Sequence, residues 1–130
     1  LPRTHYLRSL SSDESLAIAY WNAGRVWEKR ALKIQPPEPP PSIQVVRGEA
    51  RSSVDKKFAV WQAEYDRRLD NWKRRQGEAR QKAILSFTTA ARLLPNWDHP
   101  YSSRAGLLAV EGDEEGAERD NKRSAELSPF

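Results

Sequence analysis

Histidine and clustered carboxylates are the side chains in this sequence whose chemistry could support catalysis or metal binding. The two histidines, His5 and His99, are far apart in the chain, and His99 follows Asp98 directly. Adjacent Asp and His more often form a loop-capping pair than a metal site. The sequence also lacks a P-loop, a dinucleotide-binding glycine pattern and a nucleophile motif. We therefore expect no enzymatic activity, no small-molecule substrate and no metal or other cofactor.

An acidic cluster near the C-terminal end is a second candidate site. Glu111, Asp113, Glu114 and Glu115 lack the alternating oxygen ligands and the closing Glu of a calcium loop. A helix start explains them better. Asp113 is expected to cap a helix, with Glu114 and Glu115 placed favourably at its N-terminal dipole.

A basic stretch in the middle of the chain could contact RNA. The segment from Trp61 to Lys82 mixes Arg and Lys with aromatic residues, which suits contact with phosphates and stacking on bases. Its aromatic residues share an apolar helical face, however, and its acidic residues can form ion pairs at helical spacing. An ion-paired, solvated helix face is therefore the alternative. If RNA is bound, we expect backbone contacts from Arg67, Arg68, Arg74 and Arg75.

The composition describes a polar chain of single-domain size. The 130 residues are 38% hydrophobic and 31% charged, and five tryptophans supply much of the apolar area for a core. The absence of Cys excludes disulfides and thiolate metal sites. No apolar run approaches the roughly 20 residues that span a bilayer. The net charge is +3 over residues 1–52, +5 over 53–94 and −4 over 95–130, a polarity that can orient docking.

Proline and helix-start signals organise the first half of the chain. Residues 1–11 are predicted to form an extended arm. Ser12 is a candidate N-cap for a helix over residues 12–34. That helix must end before the run Pro36–Pro41, which should form a polyproline II segment within a linker or insertion over residues 35–52. The run has the spacing of a ligand for an aromatic-lined groove, and a stiff linker along a neighbour is the alternative.

A helical region is predicted over residues 53–130. Its first helix is long and basic, with apolar residues at intervals of three and four on one face. Gly77 is expected to mark a turn or kink, and further helices are predicted at about 79–94, 100–111 and 113–127. The sequence thus predicts about five helices and no confident strand. The apolar face of the long helix comprises Phe58, Trp61, Tyr65, Leu69 and Trp72.

The segment from Tyr101 to Pro129 carries the most specific pattern in the chain. An aromatic residue heads its first helix, small residues stand at Ala105 and Ala117, and a Gly112–Asp113 turn joins the two helices. A Glu-Leu-x-Pro sequence ends it. This pattern resembles a tetratricopeptide repeat, a helix-turn-helix unit of about 34 residues. Asn121 departs from the family pattern, which prefers an aromatic there.

Fragments of two further half-repeats lie upstream. Tyr20, Gly24 and Trp27 have the spacing of the first helix of one repeat. The segment from Ala83 to Leu93 matches the second helix of a repeat. The chain therefore resembles a degenerate tetratricopeptide array with an insertion, an all-α fold of antiparallel helical hairpins. Within the family, its last repeat looks most like plastid and cyanobacterial members.

The resemblance implies a surface for protein partners. In this family the first helix of each repeat lines the concave face. Trp21 beside Arg25 is the kind of pair that concentrates binding energy, and ordinary core packing of Trp21 beneath the proline segment is the alternative. The contact positions that the resemblance implies are Trp21, Arg25, Glu28, Lys29, His99, Ser102, Gly106 and Ala109.

These observations together predict a non-catalytic scaffold, a subunit or assembly factor of a large organellar complex. The resemblance favours a plastid over a mitochondrion, with a thylakoid photosynthetic complex as client and a soluble or peripheral location. The start at Leu1 suits removal of a transit peptide, with a trimmed chain as the alternative. An accessory subunit of an organellar ribosome, held on RNA by the basic helix, is the second hypothesis. A free chaperone-like adaptor is the third.

Overall fold

The computed structural model describes residues 12–128, and the regular elements in this range are all α-helices. The predicted all-α fold is therefore confirmed for this part of the chain. The predicted arm at residues 1–11, with His5, lies outside the described residues, as do Pro129 and Phe130. The helices are α1 (Ser12–Lys33), α2 (Arg51–Leu93), α3 (Asp98–Val110) and α4 (Glu114–Leu127).

Helix α1 forms over almost the predicted range. Asp13 and Glu14 lie in its first turn, and Arg30 and Lys33 lie in its last turn, so both ends complement the helix dipole. The helix ends before Pro36, as the missing amide of proline requires. Its buried residues recur at intervals of seven and so share one face, which packs on α2. They are Ala17, Gly24 and Ala31.

Helix α2 corrects the prediction of a break at Gly77. The helix runs without interruption for 43 residues, so the two helices expected at about 53–76 and 79–94 are one. Glycine inside a helix costs roughly 0.5–1 kcal/mol relative to alanine, a penalty that packing along both halves of α2 outweighs. The structure thus contains four helices within residues 12–128, and the prediction of five was wrong because two of them are one continuous helix.

Helices α1 and α2 pack antiparallel and hold much of the core. Phe87 of α2 is fully buried and lies directly against the backbone of Gly24 on α1, where an added Cβ would stand 2.6 Å from its ring. Ala83 and Leu107 complete the buried cluster. The two half-repeats found far apart in the sequence therefore meet in space. Partly buried residues surround the cluster: Trp21, Trp27 and Ile84.

The proline segment lies on the chain's own α2, which corrects the expectation of a linker suited to lying across a neighbour. Residues 35–46 have no regular secondary structure, and Pro40 is buried. Prolines supply no amide donor, and side chains of α2 donate hydrogen bonds to carbonyl oxygens from the last turn of α1 through this segment. The donor and acceptor pairs are Gln76 to Ala31 (3.3 Å), Trp72 to Ile34 (3.2 Å), Arg68 to Glu38 (3.2 Å), Trp61 to Pro40 (3.0 Å) and Lys57 to Gln44 (2.8 Å).

A turn at Gly48, which has a φ of 80°, returns the chain into α2. Glu49 fixes this turn. Its carboxylate accepts hydrogen bonds from the Val46 amide (3.0 Å), Ser53 Oγ (2.6 Å) and Lys57 Nζ (2.9 Å). The bonds from Lys57, Ser53 and the Val46 amide, in that order, lower the pKa of Glu49 to about 2.

Helices α3 and α4 form the hairpin predicted from the Gly112–Asp113 pair. Gly112 adopts a φ of 88°, which favours glycine. Asp113 caps α4 by accepting a hydrogen bond from the Gly116 amide at 2.9 Å, as the acidic cluster predicts. The small residues Ala105 and Ala117 are both buried, so the two backbones approach closely as expected.

Candidate protein-interaction surface

Aromatic side chains gather where the first half of α1 meets the start of α3. The ring centroids of Trp21 and Trp97 are 5.6 Å apart, and those of Trp21 and His99 are 5.7 Å apart. Trp97 and His99 stack on each other, also at 5.6 Å. Trp21 Nε1 donates a hydrogen bond to Ser103 Oγ at 3.2 Å. We call Trp21, Trp97 and His99 the aromatic cluster.

Charged groups border the aromatic cluster. The guanidinium of Arg25 lies 5.0 Å from the centroid of the Trp21 ring, within range of a cation–π interaction. Arg25 also approaches Glu28 at 3.9 Å. The Nδ1 of His99 lies 2.9 Å from Asp98 Oδ1, and the His99 side chain is 55% exposed. The cluster therefore presents one apolar centre with both signs of charge at its edge.

A shallow groove continues the same side of the molecule between α1 and α3. Its volume is about 280 Å³, and its lining combines apolar side chains with Glu28 and Arg80. Leu32 is 79% exposed and Val110 is 66% exposed, so apolar surface is open to a partner here. Arg80 pairs with Glu111 at 2.6 Å. The groove is lined by Glu28, Ala31, Leu32, Gln76, Arg80, Gly106, Leu107 and Val110.

The structure brings part of the predicted partner surface together. Trp21, Arg25 and His99 belong to one site, while Glu28 and Gly106 line the adjoining groove. The remaining predicted positions are solvent-exposed, and no described contact joins them to the cluster. They are Lys29, Ser102 and Ala109.

Trp21 packs on the core and also borders the surface, so it combines features of the two interpretations given above, a partner-binding residue and a core residue. It is partly buried and packs on the Phe87 core, yet its ring also borders the exposed His99. The tryptophans against the proline segment are instead Trp61 and Trp72. The alternative that Trp21 packs beneath the proline segment is therefore wrong, because Trp21 packs against the Phe87 core.

Sequence reasoning missed several residues of this surface. Trp97 and Ser103 were not recognised, although the prolines at 95 and 100 place Trp97 in a constrained loop directly before α3. Leu32 and Val110 were also missed. An exposed apolar residue near the end of a helix has no distinctive local pattern, since singly exposed apolar residues are common.

The predicted basic surface on α2 is largely ion-paired. Glu64 accepts hydrogen bonds from Arg67 and Arg68, which hold its pKa below the ordinary value. Arg74 donates to Glu78 at 2.9 Å and to Asn71 at 2.7 Å. These contacts agree with the interpretation of a solvated, ion-paired helix face. Arg75 faces a separate cavity.

Metal and membrane features can be assessed within the described range. Residues 12–128 contain no group of three or more His, Asp or Glu side chains that could hold a metal ion. In the same range no helix is both long enough and apolar enough to cross a bilayer.

The all-helical fold of the described residues is consistent with a tetratricopeptide-like protein, and one comparison supports that character. Over 82 residues the chain is 37% identical to tetratricopeptide repeat protein 36 of Xenopus tropicalis. The aligned region covers 62% of this chain and 41% of that protein, so this chain spans less than half of the relative's length. No family model matches the chain, and no solved structure matches it.

Proposed function

We propose that this chain is a non-catalytic scaffold that binds a protein partner on the side where α1 faces α3. The observation that carries the proposal is the aromatic cluster, with Trp21 at its centre and Arg25 over its ring. Interface energy concentrates in aromatic and Arg side chains that sit in a packed environment with a polar edge. The partial similarity to a tetratricopeptide protein supports protein binding in general.

The groove beside the cluster sets the shape of the proposed interface. Leu32 and Val110 offer exposed apolar surface on either side of it. Arg80 and Glu111 are already paired, so a partner need not neutralise them. We expect an apolar segment of the partner to lie in the groove and a further side chain to contact the aromatic cluster.

The identity and location of the partner stay at the level of prediction. The expected organellar complex, and the preference for a thylakoid complex over a mitochondrial one, rest on the resemblance of the last repeat alone. The similar protein comes from Xenopus tropicalis and does not support a plastid location. The ribosomal alternative also stays untested, and the pairing of Arg67, Arg68 and Arg74 leaves fewer cations free for phosphate.

A double substitution on the proposed face, compared with a matched one elsewhere, tests the scaffold proposal. Arg25→Ala with His99→Ala removes the cation over Trp21 and one ring of the aromatic cluster. Glu118→Ala with Lys122→Ala changes exposed residues of α4. Each form would be used to isolate partners for quantitative mass spectrometry. The recovered partner would then be titrated against each purified form by calorimetry.

We expect the α1–α3 double variant to bind that partner about tenfold more weakly or worse, since each hot-spot side chain contributes more than about 1 kcal/mol. The α4 variant should bind like the unchanged chain. Equal binding by both variants, or loss confined to the α4 variant, would place the interface elsewhere and overturn the proposal.

A further inference from the structure

A cavity on the other side of the α1–α2 pair is unexplained by the proposed scaffold function. Its volume is about 530 Å³, and its lining comes from α1, α2 and the two residues after α1, with none from α3. We call it the Trp27 pocket. Its principal lining side chains are Trp27, Arg30, Lys33, Arg75, Glu78 and Lys82.

The Trp27 pocket carries uncompensated positive charge. Four of its side chains are cations, and within residues 12–128 none of the four has a carboxylate oxygen within 4.0 Å. The single carboxylate in the lining, Glu78, is bound to Arg74 at 2.9 Å. Arg67 and Arg68 of α2, by contrast, both pair with Glu64. A concave surface with one sign of charge attracts anions.

Trp27 holds two of these cations in place. The guanidinium of Arg30 lies 4.7 Å from the Trp27 ring centroid and the ammonium of Lys82 lies 4.4 Å from it. Arg30 belongs to α1 and Lys82 to α2, so the Trp27 ring brings one cation from each helix into the same pocket. Cation–π contacts of this kind restrict both side chains. Trp27 itself packs on the buried core, so the ring that both exposed cations contact is held in place by the fold.

We propose that the Trp27 pocket binds a carboxylate-rich peptide segment of a partner protein. Arg30 and Arg75 can each engage a carboxylate through paired N–H groups, and the two lysines supply point charges. Ile34 and Ala79 in the lining offer apolar contact to the methylene groups of Glu or to an aliphatic neighbour. This peptide would bind at a different site from the partner segment proposed for the α1–α3 face.

Two observations favour acidic peptide over nucleic acid. The Trp27 ring already contacts Arg30 and Lys82, so a base would have to displace a cation to stack on it. Single-stranded nucleic acid is also bound along a continuous basic track. Here the cations that would extend the track along α2, Arg68 and Arg74, are bound to carboxylates. Arg68 and Arg74 therefore do not extend the free charge of the pocket along α2.

Fluorescence anisotropy with the purified chain tests the proposal. The probe is a fluorescein-labelled octapeptide of Asp and Glu with a central Leu, and the matched peptide has Asn and Gln in place of every acid. Arg30→Gln with Lys82→Gln removes two charges from the pocket. Arg51→Gln with Lys122→Gln removes two exposed charges elsewhere and controls for net charge.

We expect the pocket variant to bind the acidic peptide about tenfold more weakly or worse, because hydrogen bonds from Arg or Lys to a carboxylate are stronger than those between neutral groups. The control variant should stay within about twofold, since its two charges lie outside the pocket and would act on the peptide only through a long-range attraction that salt screens. Arg25→Ala should leave the peptide affinity unchanged, which separates this proposal from the α1–α3 face. Circular dichroism confirms that each variant is folded, and Lys33→Gln with Arg75→Gln replaces the pocket variant if it is not.

Several outcomes would overturn the proposal. Equal loss in the pocket and control variants would indicate attraction by net charge alone. Equal affinity for the amide peptide would exclude recognition of carboxylates. A labelled oligouridylate that binds more tightly than the acidic peptide, and loses affinity with the pocket variant, would make the pocket a nucleic-acid site. Dimerisation abolished by the same variant in sedimentation would make a second copy the ligand.

Discussion

Arg104 of α3 donates two hydrogen bonds to the carboxylate of Asp120 on α4, from Nε at 2.6 Å and from Nη2 at 2.7 Å. A third bond runs from Arg104 Nη1 to Thr88 Oγ1 on α2 at 3.1 Å. Asp120 is only 5% exposed, and its hydrogen bonds to Arg104 raise the pKa of that guanidinium above its ordinary value. One side chain thus joins three helices, so the last hairpin is tied to the α1–α2 pair by a polar contact as well as an apolar one.

Replacing Asp120 with Ala should destabilise the fold by about 2 kcal/mol, because Arg104 would lose a bidentate, largely buried partner. Urea denaturation followed by circular dichroism measures the change in the free energy of unfolding. Arg123→Ala is the control: Arg123 lies 3.6 Å from Glu126 in an exposed pair, worth less than about 1 kcal/mol. Equal effects of the two substitutions would contradict a special role for the Arg104–Asp120 pair.

Gly24→Ala should destabilise the fold although alanine is the better helix former. The intrinsic gain is about 0.5–1 kcal/mol, whereas the new Cβ would stand 2.6 Å from the buried Phe87 ring and overpacking costs about 1–3 kcal/mol. We therefore expect a net loss in urea denaturation. In a Phe87→Leu background, where the methyl group has more room, Gly24→Ala should cost less stability than it does beside Phe87, and an equal cost in both backgrounds would show that the close approach is not the cause.

Gly77→Ala should have the opposite sign. Apart from its chain neighbours and the backbone of its own helical turns, no atom lies within 4 Å of the position its Cβ would take, and Gly77 is inside the continuous α2. Alanine should then stabilise the fold by about 0.5–1 kcal/mol through its helix propensity and a less flexible unfolded chain. Thermal denaturation of the single variant is sufficient. A loss of stability would mean that the chain needs a break at this position, as the sequence alone suggested.

Local signals explain what the sequence predicted well. The cap at Asp113, the hinge at Gly112 and the end of α1 before Pro36 all depend on residues within a few positions of each other. The family resemblance assigned Gly24 and Phe87 to two separate half-repeats but did not predict their contact. That resemblance also placed Trp21 and His99 on one surface.

Long-range packing explains what the sequence missed. The penalty of a helical Gly77 is small beside contacts made along the whole of α2, so local propensity could not decide the matter. The proline segment binds donors between 13 and 38 residues away in the sequence. Trp97 joins the aromatic cluster because of a loop conformation that no spacing rule describes. Arg104 and Asp120 lie on separate helices, and neither shows a pattern that pairs it with the other.

Trp61→Phe and Trp72→Phe should each weaken the attachment of the proline segment to α2. Each substitution keeps an aromatic ring but removes the Nε1 donor to Pro40 or Ile34, so a partly buried carbonyl loses its partner, at about 1 kcal/mol. Hydrogen exchange should become faster at the Val46 amide, which donates to Glu49, in Trp61→Phe, and at the Ile34 amide, which donates to the Ala31 carbonyl, in Trp72→Phe. Phe58→Leu is the control, because Phe58 is 53% exposed and carries no donor. Unchanged exchange in both Trp variants would show that apolar contact alone holds the segment.

The pH dependence of stability should reveal the role of Glu49. Its folded-state pKa of about 2 lies below the ordinary value of 4.5. Ionised Glu49 therefore stabilises the fold above pH 4.5, and this contribution is lost as the pH falls through 2. Glu49→Gln should lower the stability near neutral pH, and the difference from the unchanged chain should shrink in acid. Nuclear magnetic resonance titration of the Glu49 carboxyl measures the pKa directly.

Glu118→Gln provides the matched control for this titration, because Glu118 is exposed on α4 and has no ion pair within residues 12–128. Its effect on stability should be small at every pH. A Glu49→Gln variant that is destabilised equally at neutral and acidic pH would show that the turn at Gly48 depends on the shape of the side chain. A difference in stability between Glu49→Gln and the unchanged chain that disappears on acidification would show that the charge of the carboxylate is what matters. That charged carboxylate, bonded to Lys57, Ser53 and the Val46 amide, would then be what fixes the start of α2.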